Sequence, residues 1–152
     1  VRPAGDGPAS ILSAAKKREL VTVRAGDRCE YCKVYEPGQV GTFHVEHIIP
    51  TSRGGSDEVD NLAWSCSPCN LSKSNRLELR DPESGYPAPM FHTRTMSWED
   101  HFEWSGYMVV GRTPTGRALI LALDMNSAKR VRIRTREQLL GDFPPPLANS
   151  GA

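Results

Sequence analysis

Two CxxC pairs, Cys29-Glu30-Tyr31-Cys32 and Cys66-Ser67-Pro68-Cys69, constrain this chain more than any other feature. At that spacing one turn of backbone presents two sulfurs, and four thiolates make the closed tetrahedral shell of a structural zinc ion. Redox disulfides are the alternative, but residues 1–10 (VRPAGDGPAS) lack the apolar centre of an export signal, which favours thiolates on metal and a cytoplasmic location. The 33 residues between the pairs exceed the ~15–20 of a compact ribbon, so an inserted element has to stand between the knuckles. A closed shell braces rather than catalyses. Any chemistry belongs to the insertion.

At 152 residues the chain fits one domain, or a small catalytic module with an appended subdomain. Hydrophobic residues at 38% and aromatics at 7% predict a small core that needs the metal brace. The longest apolar run, residues 118–123, is far short of the ~18–20 needed to cross a bilayer, so no membrane partner is expected. A formal net charge of +1 does not by itself announce nucleic acid.

Patterning predicts a helix over residues 10–25, started by Ser10, broken near Val21 and ended by Gly26. Residues 40–49 read as a strand, Gly54-Gly55 as a turn, residues 62–64 as the return strand and CSPCNLSKSNR as a knuckle running into a helix. A proline-rich loop after Asp81 marks an internal boundary. Beyond it a short helix is expected over 97–102, and a hairpin pairing 107–111 with 117–123 around a turn at 113–116. Residues 126–140 fit a strand, with Val131, Ile133 and Thr135 alternating with arginines, or a helix capped by Asn126; the helix is the reading adopted. The clustered arginines suit a solvated face or a phosphate-contacting one equally. The organisation expected is a tail over 1–9, a core with the zinc site over 10–80, an extension packed on it over 81–141 and a tail over 142–152.

Within the insertion, His44-Val45-Glu46-His47 offers an imidazole that can take a proton from water near neutral pH and a carboxylate. Asn70, directly after Cys69, adds an amide oxygen at the start of the knuckle helix. Carboxylate and amide oxygens suit a hard ion such as Mg²⁺. Adjacent strand residues point to opposite faces, so Glu46 and His47 serve one site only if the strand ends, twists or bulges there; Pro50 is consistent with an end.

These residues resemble the HNH endonucleases. His44 to Pro50 looks like the family's first strand, Ser52 to Ser56 its loop, Asp60-Asn61-Leu62 its middle element and Cys66 to Lys73 its zinc-linked helix. The resemblance implies an α+β fold: a ββα-metal (His-Me finger) core braced by a four-cysteine zinc knuckle, with a small C-terminal α/β extension. It implies structural Zn²⁺ on Cys29, Cys32, Cys66 and Cys69, His47 as general base, Glu46 and Asn70 as ligands of a catalytic Mg²⁺ or Mn²⁺, and Asn61 steadying the loop and His47. Glu46 departs from the aspartate more usual in the family. The implied reaction is hydrolysis of DNA, expected double-stranded, to 5′-phosphate and 3′-hydroxyl ends. Arg53, Lys73 and Arg76, with Arg24 and Arg28 nearby, could neutralise phosphates; His44 could touch phosphate or metal, or be structural. A weaker resemblance to stand-alone bacterial members extends through MFHTR, WEDHF and GRTPTGRA, where His101 is either a DNA contact or a buried structural group. The rival readings are a zinc-ribbon module that binds nucleic acid without cutting it and a zinc-folded protein-contact domain. Oligomeric state and cleavage specificity are not written in the sequence.

Overall fold

The computed structural model describes residues 11–147, so the expected 1–9 tail and the 148–152 end of the expected C-terminal tail lie outside the described residues. Helix α1 spans Ala14–Ala25 without a break at Val21, which it buries. Its cap is Ser13 rather than Ser10: Ser13 Oγ accepts from Lys16 N at 3.1 Å. Gly26, at φ 63°, ends the helix in the left-handed region that only glycine enters without cost.

Strands β1 (His44–His47) and β2 (Leu62–Ser65) pair antiparallel, His44 opposite Ser65 and His47 opposite Leu62. Helix α2 (Ser67–Lys73) follows at once and packs against β1, while α1 packs on β2. The order β, loop, β, α is the expected one, with β1 shorter than residues 40–49.

Asn61 holds the long loop between the strands. Its Oδ1 accepts from Ile49 N at 2.9 Å, and its Nδ2 donates to Ile49 O at 3.0 Å and Ser56 O at 2.8 Å. At Gly55 a Cβ would stand 1.7 Å from Ile49 O, so the close backbone approach excludes any side chain.

Beyond α2, β3 (Glu78–Arg80) pairs with β4 (Pro87–Pro89), so strand pairing runs across residue 81. Arg117 spans the same point, its Nε and Nη2 reaching the two oxygens of Asp81 at 3.0 and 2.9 Å. Helix α3 (Trp98–His101) runs directly into β5 (Phe102–Ser105), which pairs with β6 (Met108–Gly111). The expected hairpin of 107–111 with 117–123 is therefore corrected. Thr113 Oγ1 accepts from Gly116 N at 3.1 Å, Pro114 occupies the first turn, and the apolar run becomes helix α4 (Pro114–Ala122). A buried helix and a buried strand give the same short apolar run; the cap decides.

Residues 126–140 are helical, as α5 (Ala128–Leu139), but Ser127 caps it and Asn126 instead pairs with Val109 N and O, both at 2.8 Å. The arginines divide: Arg134 is buried, donating to Met125 O at 2.6 Å and Tyr107 O at 2.8 Å, and Arg132 and Arg136 face solvent. Within the expected 142–152 tail, Phe143 packs on Trp104 at 5.0 Å and Arg28 donates to Asp142 O.

One apolar core runs through both halves, from Val21, Tyr31, Ile48 and Trp64 to Phe91, Phe102, Leu119 and Met125. No helix among the described residues is long and apolar enough to cross a membrane. Asn61→Ala leaves three backbone groups of the loop without partners, and we expect a loss of about 2–4 kcal/mol, measured by urea unfolding.

Candidate metal centre and active site

The first knuckle is a tight hairpin. Cys29 N donates to Val34 O at 3.0 Å, and Lys33, at φ 66°, donates back to Cys29 O at 2.9 Å. Glu30 fastens it to β2, its N donating to Trp64 O at 2.8 Å and its Oε2 accepting from Trp64 N at 2.7 Å. The second knuckle caps α2 through Cys66, and Asn70 N donates to Cys66 O at 3.0 Å.

All four cysteine sulfurs are buried within 4.8 Å of one another. Cys32 Sγ and Cys66 Sγ lie 3.7 Å apart. That is about the 3.8 Å edge of a tetrahedron with ~2.3 Å Zn–S bonds, and no disulfide forms. Burial pushes the Cys29 thiol up, while hydrogen bonds from Cys29, Cys66 and Cys69 hold Cys32 below the ordinary thiol range. Four buried sulfurs this close suit one divalent cation that takes all four as thiolates. The cluster is consistent with zinc.

On β1, alternation sends Glu46 inward and His47 outward, and the strand ends at His47, the condition under which the two can serve one site. Glu46 is buried; it accepts a short hydrogen bond from Tyr31 OH, and its Oε2 lies 3.2 Å from Lys73 Nζ. Burial raises the Glu46 carboxyl above its usual range, with Lys73 and Tyr31 opposing. Lys73 is fully buried and also donates to Ile48 O at 2.9 Å and His47 O at 3.2 Å. Its expected phosphate contact is corrected: the α2 ammonium turns into the core because the end of β1 presents two carbonyls and a carboxylate there.

His47 is half-exposed, and its Nε2 lies 2.7 Å from Asp57 Oδ1. Asp57, which motif reading passed over, is held in the loop by Lys17 Nζ on its carbonyl at 2.7 Å and by Asn61 on the preceding Ser56 O. The only sequence signal for it is an acid in the turn after Gly54-Gly55. Asn70 is half-buried, one helical turn before Lys73 and thus on the same face of α2, and its side chain bonds to no described residue. No hydrogen bond joins Glu46, His47 and Asn70. Among the described residues, the cysteines alone gather three or more ligating groups of the His, Cys, Asp and Glu types.

The donor set still suits a hard ion. Tyr31 and Lys73 each use one oxygen of a carboxylate that has about four acceptor positions, Asn70 adds an amide oxygen, and Mg²⁺ keeps several waters.

Of the other residues expected at phosphate, Arg53 is exposed, its Nε donating to Asn75 O at 3.3 Å, and Arg76 folds onto Ser72 O and Lys73 O at the end of α2. His44 Nε2 sits 2.9 Å from Ser67 Oγ, which donates to Thr42 O. Arg24 donates to Leu62 O at 2.6 Å and Arg28 to Lys33 O at 2.9 Å, so both brace the fold. His101 Nδ1 lies 2.6 Å from Thr113 Oγ1, the α4 cap, with its ring edge-on to Phe91.

Residues 29–76 match the model of a family described as HNH endonuclease. That segment holds both knuckles, β1, the loop, β2 and α2, the ββα-metal arrangement with its four-cysteine brace. Comparison with curated proteins and with solved structures gave no match.

Chelating the metal should unfold the segment between the knuckles. Treatment with a strong chelator is expected to lower the melting temperature and shift the fluorescence of Trp64, with recovery on adding Zn²⁺. Lys73→Met, which strands a buried carboxylate, is expected to cost about 3–5 kcal/mol in urea unfolding, and Glu46→Leu added to it to restore part of the loss.

Proposed function

We propose that this chain, HNH-like over residues 29–76, is a metal-dependent endonuclease that hydrolyses phosphodiester bonds of double-stranded DNA. The observation that carries the reading is the His47 ring at the exposed end of β1, held through Nε2 by Asp57 at 2.7 Å. An ionised carboxylate only accepts hydrogen bonds, so in the neutral imidazole Nε2 keeps the ring proton and Nδ1 is the acceptor. Among the described residues nothing bonds Nδ1.

In this reading His47 Nδ1 takes a proton from water, the resulting hydroxide attacks phosphorus in line, the bond to the 3′ oxygen breaks and that oxygen takes a proton from a second water, leaving 5′-phosphate and 3′-hydroxyl ends. Asp57 fixes the ring tautomer and favours the imidazolium that forms. Glu46 and Asn70 would hold Mg²⁺ or Mn²⁺, which when bound polarises a phosphoryl oxygen and offsets charge on the leaving group. Asn61 keeps the loop that carries Asp57 in place, and Arg53, with Arg76 at the end of α2, neutralises the phosphate backbone. Residues 10–80 form the catalytic part and residues 81–141 an extension docked on it.

Plasmid incubated with the zinc-loaded chain and Mg²⁺ or Mn²⁺ is expected to be nicked. His47→Ala should lose about 10²–10⁴-fold in rate, and Asp57→Asn about 10-fold or more in kcat at unchanged KM, with a changed tautomer ratio in the ¹⁵N spectrum of His47. Equal absence of nicking in wild type and His47→Ala, with DNA binding retained, would favour the non-catalytic zinc-ribbon reading instead.

A further inference from the structure

The C-terminal helix reaches the metal site. Arg130, in the first turn of α5, directs its guanidinium at the second knuckle: Nη2 lies 3.5 Å from Cys69 Sγ and Nη1 4.0 Å from Cys66 Sγ, and Nη2 also donates to Leu123 O at 3.3 Å. Two turns further along α5, Glu137 reaches the first knuckle, accepting from Tyr35 N at 3.3 Å and facing Arg28 Nη1 at 3.7 Å. One helix thus touches both halves of the metal clamp from a distant part of the sequence.

A zinc ion with four thiolates carries a net charge of about −2, costly to hold in a buried site. N–H donors on thiolate sulfur spread that charge and fix the direction of the sulfur lone pairs, as partners behind metal ligands generally do. A guanidinium does both, with a planar fork that spans two sulfurs. Arg130 also lines a cavity of about 420 Å³ whose wall includes Cys32 and Cys66, so it stands on the solvent approach to the sulfurs.

We propose that Arg130 is a positioning residue of the zinc centre: its guanidinium compensates the Cys66 and Cys69 thiolates and closes the route by which zinc leaves, making α5 part of the metal site. The inference rests on the zinc reading of the four cysteines and is independent of nuclease activity.

The test follows zinc release from the whole zinc-loaded chain to a chromogenic chelator, 4-(2-pyridylazo)resorcinol. Arg130→Met is expected to release zinc about 10- to 100-fold faster than wild type, Arg130→Lys to fall between, and Arg132→Met, on the exposed face of α5, to match wild type. In the ¹¹³Cd-substituted protein the metal resonance is expected to move in Arg130→Met, because N–H···S contacts alter shielding at the metal. Release at the wild-type rate in both Arg130 variants overturns the proposal. Faster release with an unmoved ¹¹³Cd resonance also overturns it, since packing of α5 would then be sufficient. If Arg130→Met does not fold, Arg130→Lys decides by the same two readouts. A wild-type chain that holds no zinc overturns the zinc reading itself, a failure distinct from both and from any result with DNA.

Discussion

Convergence of four sulfurs from two knuckles onto a point within 4.8 Å is the constraint from which the rest of this structure follows. It joins the turn after α1 to the first turn of α2, and the chain between them has no choice but to leave and return. The β1–β2 hairpin is that excursion, and its long loop is pinned by Asn61. A chain with a lean apolar content would gain from a metal at this cluster what a larger protein gains from a larger core. The first knuckle is then made continuous with the sheet by Glu30, which exchanges bonds with Trp64 through both backbone and side chain.

The second constraint is electrostatic. Lys73 carries an ammonium into the core and meets the carboxylate of Glu46 and two carbonyls at the end of β1. Such a group is tolerated only where every donor has a partner, so the end of α2 can lie in one place relative to β1. The helix is thereby fixed at both ends, by sulfur at its start and by charge at its finish. Asn70, between the two, has an amide that bonds to no described residue. The loop is fixed by a separate device, the bonds of Asn61, and it delivers Asp57 to His47. Two independent scaffolds therefore meet at the outer end of β1.

The extension is no appendage in physical terms. Trp98 Nε1 donates to Tyr31 O at 2.9 Å, Phe91 meets Tyr31 edge-on, and Arg94 pairs with Glu30. Tyr31 in turn holds Glu46. The residues behind the metal-facing and carboxylate-facing groups are thus drawn from the second half of the chain, which buries them under a continuous core.

Local signals sufficed wherever chemistry is set by neighbours in sequence. The CxxC spacing, the glycine at the end of α1 and the β, loop, β, α order were legible because turn geometry and ligand spacing act over a few residues; the helix adopted for residues 126–140 holds as Ala128–Leu139, but Ser127 caps it and Asn126 is drawn to Val109. The hairpin assigned to residues 107–123 failed for the complementary reason: a short apolar run states that it is buried and says nothing about whether as strand or helix, and Thr113 with Pro114 settled it. Which cations face water was not legible at all. Lys73 and Arg134 look like surface charges in sequence and are interior, while Arg132 and Arg136 are exposed. Burial of a charge depends on carbonyls and carboxylates supplied by distant segments, and so do the contacts of Asp57 with His47 and of Arg130 with Cys69. Those pairings exist only once the cysteine cluster and the core have brought residues 10 and 61 positions apart within contact distance.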